Sequence, residues 1–92
     1  MTLIEHPERV EFTDGILIII THEHDFEWSV DKLFLSEFET TTLQDIADDY
    51  PTVEMLIAEN PLNGTIYRFN NYHDDKWYET GKTDGSASEG ET

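Results

Sequence analysis

Histidines and carboxylates are the groups through which this chain could do chemistry. His22-x-His24, flanked by Glu23 and Asp25, has the look of a metal-ligand cluster. On a strand, residues i and i+2 point to one side, so two imidazoles could share an ion. A third ligand would have to come from His6, His73, Asp74 or Asp75, and none of these lies at a diagnostic spacing. The sequence is therefore read as two hydrogen-bonded or solvent-facing histidines, with no metal and no cofactor. Ser29, Ser36, Ser86 and Ser88 have no histidine at a nucleophile–base spacing. No Gly-rich phosphate loop, G-x-S-x-G elbow or H-E-x-x-H motif occurs. Paired carboxylates are so frequent that any catalytic pair could be drawn by chance. No catalytic residue is assigned, and the chain is not expected to be an enzyme.

What stands out is where the charges lie. The 92 residues carry 21 Asp+Glu against 5 Lys+Arg, a formal net charge of −16. From Leu33 to Tyr67 there is no Lys or Arg, while Glu37, Glu39, Asp45, Asp48, Asp49, Glu54 and Glu59 all lie within. The stretch from Val10 to Asp31 is equally one-sided. Glu23, Asp25 and Glu27 fall at i, i+2 and i+4, and an extended strand would set them on one face, neighbours about 6.6–6.8 Å apart. That spacing is of the order of successive phosphates along a nucleic-acid strand. The candidate partner-binding acids are thus Glu23, Asp25, Glu27, Glu37, Glu39, Asp45, Asp48 and Asp49. An aromatic-rich segment offers a second possible contact, centred on Tyr67, Tyr72, Trp77 and Tyr78.

Composition bounds the rest. The length suits one small domain with a modest core. Direct binding to nucleic acid or an anionic membrane needs basic contacts that are scarce here. With no cysteine, disulfides, thiolate metal sites and thiol catalysis are excluded. Met1 to Pro7 lacks the basic and apolar regions of a signal peptide, and the run Ile16-Leu17-Ile18-Ile19-Ile20 is far too short to span a bilayer. A cytoplasmic location is expected. The content of 37% apolar and 12% aromatic residues is that of a globular chain. Residues 1–82 are expected to form one acidic domain, and residues 83–92, rich in Gly, Ser and Glu, a flexible tail.

The elements that must position these acids follow from periodicity. Arg9 to Phe12 reads as a short strand, followed by turn residues Thr13-Asp14-Gly15. Ile16 to Thr21 is a continuous, β-branched run and reads as a central strand buried on both faces. A third strand runs from about His22 or Phe26 to Leu35, with Phe26, Trp28 and Val30 on its dry side. Leu43, Ile46, Ala47 and Tyr50 share one helical stripe, with Thr41 or Thr42 as N-cap, a capping-box spacing from Thr41 to Gln44, and Pro51 as terminator. Asp45, Asp48 and Asp49 fall on the opposite side. Trp28 and Tyr50 are expected to be core.

Val53 to Ala58, the Asn-Gly turn at 63–64, Thr65 to Asn71, a polar turn at 73–76 and Trp77 to Thr80 complete a β-β-β-α-β-β-β order. The expected fold class is α+β: an antiparallel sheet of five to six strands with one amphipathic helix packed on it.

Self-repulsion among so many acids destabilises the compact state, which suggests a use for them. In size, acidity and expected fold the chain resembles small phage-encoded DNA mimics, such as inhibitors of uracil-DNA glycosylase, restriction enzymes or CRISPR effectors. That resemblance implies an inhibitor that occupies the basic cleft of a nucleic-acid-binding protein. The alternative is an acidic protein–protein interaction module without mimicry.

Overall fold

Turn residues and β-branched runs divide the chain into eight strands and one α-helix among the residues the structure describes. These are residues 2–72 and 76–83 of a computed structural model. In chain order they are β1 (Thr2–Ile4), β2 (Glu11–Phe12), β3 (Leu17–His24), β4 (Glu27–Phe34), β5 (Thr41–Thr42), α1 (Leu43–Asp49), β6 (Val53–Asn60), β7 (Thr65–Tyr72) and β8 (Lys76–Thr83). A 3-10 turn at Pro7–Arg9 follows β1. The main sheet is antiparallel, with six strands in the order β1-β8-β7-β6-β3-β4, and β2 pairs with β5 in a small second ladder. This is the α+β architecture expected, with one helix against a mostly antiparallel sheet.

Hairpin turns set the topology. Asn60 Oδ1 accepts from Leu62 N–H, Asn63 Oδ1 accepts from Thr65 N–H, and Gly64 takes φ +76°. The Asn-Gly signal thus closes the β6–β7 hairpin as its chemistry dictates. Gly15 also adopts positive φ (+87°), but the turn there does not pair β2 with β3 as a hairpin. Instead, Gly15 N–H donates to Leu35 O and Leu35 N–H to Ile16 O, tying the start of β3 to the end of β4. The polar turn expected at 73–76 lies, apart from Lys76 at the start of β8, outside the described residues, as does the tail beyond Thr83.

The core fills one face of the sheet. Ile18, Ile20, Leu56, Ala58, Phe69 and Trp77 are buried there with Leu43 and Ile46 of α1 and Phe12 of β2. Thr42 caps the helix, its Oγ1 accepting from Asp45 N–H at 3.1 Å, so the cap pairs Thr42 with Asp45 rather than Thr41 with Gln44.

The other face is open. Residues paired across an antiparallel ladder point to the same side, so the register lays this face out in rows. Val30, Thr21, Met55, Asn70, Tyr78 and Leu3 form one. Lys32, Ile19, Ile57, Arg68 and Gly81 form the next, and Phe34, Leu17, Glu59, Ile66 and Thr83 a third. None of these residues is buried. The isoleucine run of β3 therefore serves two faces differently: Ile18 and Ile20 are sealed in the core, while Leu17 and Ile19 line the open side.

Two expectations fail here for one reason. Trp28, expected in the core, is 61% exposed, and Val30 is 59% exposed. The alternation in β4 is real, but its apolar set faces the open side. Ser29 and Asp31 face the core side, opposite His22 and Ile20. Phe26 lies in the turn before β4 and is 96% exposed. Tyr50, at the helix C-cap, is half-buried and packs against the core as expected.

Candidate protein-binding site

The proposed acids sit on three parts of the fold. Glu23, Asp25 and Glu27 belong to the β3–β4 hairpin, Glu37 and Glu39 to the β4–β5 loop, and Asp45, Asp48 and Asp49 to α1. All are exposed.

At the hairpin the single-strand reading is overturned. Asp25 and Phe26 have φ of +53° and +68°, forming a two-residue turn. Glu23 pairs with Trp28 and His24 with Glu27, so Glu23 and Glu27 lie on adjacent strands and point to opposite faces. The phosphate-like spacing along one extended strand does not exist. The physical cause is the turn: two left-handed residues reverse the chain between the first acid and the last.

A cleft beside the hairpin brings other groups together. His22, Glu23, His24, Ser29, Asp31, Asp49, Tyr50, Pro51 and Thr52 line it. Of the proposed acids it joins Glu23 to Asp49, and it adds Asp31, which sequence reasoning passed over. The signal available was the i, i+2 relation of Ser29 and Asp31 on one strand face. His22, 9% exposed, donates from Nε2 to Asp31 Oδ2 at 2.5 Å, since a carboxylate can only accept. The Tyr50 ring lies 4.9 Å from the imidazole. The hairpin is fixed to the loop after the helix by Thr52, whose Oγ1 donates to Glu23 O and whose carbonyl accepts from Glu23 N–H.

The two histidines of the His-x-His pattern are separately engaged. His22 is bound to Asp31, and His24 Nε2 lies 3.3 Å from Asp25 Oδ2. Among the described residues, no group of three ligating side chains is placed to hold a metal. Ser29 stands directly opposite His22 in the ladder, a proximity that chain spacing concealed. No side-chain hydrogen bond joins them among the described residues, and the flanking carboxylates of Asp31 and Asp49 would oppose the oxyanion of acyl transfer.

The remaining acids divide by engagement. Glu39 folds back on its own loop, where its Oε1 accepts from the Ser36 hydroxyl and, at 2.8 Å, from Ser36 N–H. These bonds, the hydroxyl's first, hold its carboxyl below the ordinary carboxylate value. Asp48 Oδ1 accepts from Gln44 Nε2 across one helical turn. Asp45 stands at the helix N-terminus, where negative charge is favoured, but Asp48 and Asp49 stand in the last turn, with no basic residue beside them. Among the described residues, every ion pair involves a histidine, and no Lys or Arg lies against a carboxylate.

The aromatic alternative is also redrawn. Trp77 is 2% exposed and belongs to the core, so it cannot be a surface anchor. Tyr67 is half-buried on the core side, under Lys82 Nζ at 5.4 Å from the ring centroid. Tyr72 and Tyr78 meet edge to face at 5.1 Å.

No helix among the described residues is long and apolar enough to cross a membrane. No family model, curated protein or solved structure matches this chain.

Proposed function

We propose that this chain is a small acidic protein-binding domain that presents its free carboxylates to the basic cleft of a nucleic-acid-binding protein, as a DNA mimic and inhibitor. The observation that carries the reading is the absence, among the described residues, of any Lys or Arg paired with these acids. All the proposed contacts are exposed, and none is neutralised by a Lys or Arg among the described residues. An unpaired carboxylate keeps its field available to a cationic partner and steers association. Asp48 and Asp49 add support, because they oppose the helix dipole at a cost of about 0.3–1 kcal/mol each with no basic residue in that turn. Residues that work against local stability are those expected to serve a surface role.

The contact surface on this reading is the α1 face with the adjoining cleft that Asp49 lines, rather than a ladder of acids along one strand. The test is capture from lysate on the immobilised chain, eluted by salt or by a duplex oligonucleotide. Each Asp→Lys adds two charges, so reversal at Asp45, Asp48 and Asp49 moves the net charge from −16 to −10. Nucleic-acid-binding proteins should be captured, released by either eluent, and lost with the triple variant while its melting temperature holds. Capture indifferent to salt, to duplex and to the reversal would sink the proposal.

A further inference from the structure

We propose that the open face of the six-stranded sheet is where two copies of this chain meet, sheet against sheet. An antiparallel sheet with one solvated face ordinarily alternates apolar-in with polar-out. Here the outward set of β4 and its neighbours β3 and β6 is largely apolar. Trp28, Val30 and Phe34 of the edge strand stand 61%, 59% and 55% exposed on the same side as Ile19 and Ile57. An apolar surface of this extent on a soluble domain marks an interface.

Charge selects the occupant. The register places Lys32, Arg68 and Lys76 on the same face as Glu23 and Glu59, so the charges of its described residues nearly cancel on a chain of net charge −16. Two such chains repel through almost every other surface. This is the face on which they can approach while the acids of α1 stay turned outward. A polyanion would find too few cations here within the repulsive field of the whole chain.

Size agrees. Five inter-strand spacings of about 4.8 Å, by strands of about 26 Å, give a footprint of roughly 600 Å² before side-chain relief is counted. A standard interface buries about 800 Å² per partner. Two twisted sheets pack about 10 Å apart with strands within about 30° of alignment, interdigitating their side chains. The result is a sandwich with α1 and its carboxylates on both outer surfaces, a bivalent acidic particle.

Sedimentation equilibrium on the full chain, from low-micromolar to sub-millimolar concentration, tests this. The expected species has twice the 10.7 kDa chain mass. Raised salt should strengthen it by screening the mutual repulsion. That response is opposite to the one expected of the acidic complex above, so the two readings fail separately. Val30→Glu puts a carboxylate into the interface and should weaken association by about 100-fold or more. Val30→Thr should retain it, and circular dichroism checks that both variants fold. A 10.7 kDa species at every concentration and salt overturns the proposal. So does a dimer indifferent to Val30→Glu, or a monomer whose Trp28 fluorescence is quenched by a single-stranded oligonucleotide.

Discussion

Replacing Phe26 by glycine should stabilise this protein, an unusual outcome for the loss of an aromatic side chain. Asp25 and Phe26 form the β3–β4 turn with φ of +53° and +68°. A bulky L-residue in that region costs about 1–2 kcal/mol, and two-residue turns of this hand prefer glycine in the second place. The Phe26 side chain is 96% exposed, so its removal forfeits almost no packing. Glycine's greater freedom in the unfolded chain returns about 0.5–1 kcal/mol of the gain. The net expectation for Phe26→Gly is a stabilisation of about 0.5–1 kcal/mol, a rise in melting temperature of roughly 2–8 °C for a domain of this size. Urea denaturation and thermal melting followed by circular dichroism would measure it, at a dilution low enough to separate folding from association. The sign is decisive. Were Glu23, Asp25 and Glu27 on one continuous strand, glycine at 26 would destabilise by about 0.5–1 kcal/mol. A lowered melting temperature would therefore refute the hairpin and restore the single acidic ladder.

Two further outcomes follow from burial and hydrogen bonding. Trp77→Ala should cost about 3–5 kcal/mol by opening a cavity in the core. Trp28→Ala, measured in dilute monomer, should cost about 1–2 kcal/mol, because most of that ring is already in water. Equal losses at the two tryptophans would show the faces of β4 to be misassigned. Glu39 should titrate below the ordinary value of 4.5, since Ser36 bonds its charged form. A depressed carboxyl stabilises the loop above its unfolded value and loses that contribution as pH falls through the folded one. An NMR titration of the Glu39 carboxyl carbon reads the midpoint directly, and a value at or above 4.5 would remove the bond. In Glu39→Gln the Ser36 amide shift should no longer move in that acid window.

Local chemistry made much of the fold legible. The stripe Leu43, Ile46, Ala47 and Tyr50 specifies which side of α1 is dry, and Pro51 specifies where the helix stops. Asn63-Gly64 specifies a hairpin because few residues besides glycine tolerate its φ. The β3–β4 hairpin was hidden because Asp25-Phe26 carries no glycine to announce it. β1 was hidden because three residues are too few to show a period.

The candidate site was less legible. Exposure of the acids could be read from their positions, whereas their grouping could not. Glu23 and Asp49 reach one cleft only because Thr52 ties the segment after the helix to the end of β3. His22 and Asp31 meet because the ladder sets His22 opposite Ser29, two residues from Asp31 on the same face.

The sequence by itself determined the charge, the absence of thiol chemistry, the helix and the alternation of β4. Those are properties of residue types and of spacings within one element. Only the tertiary structure decided which apolar face of the sheet would meet α1 and which would be left open. Periodicity states that a strand has two sides, but burial depends on what packs against each, and α1 covers one.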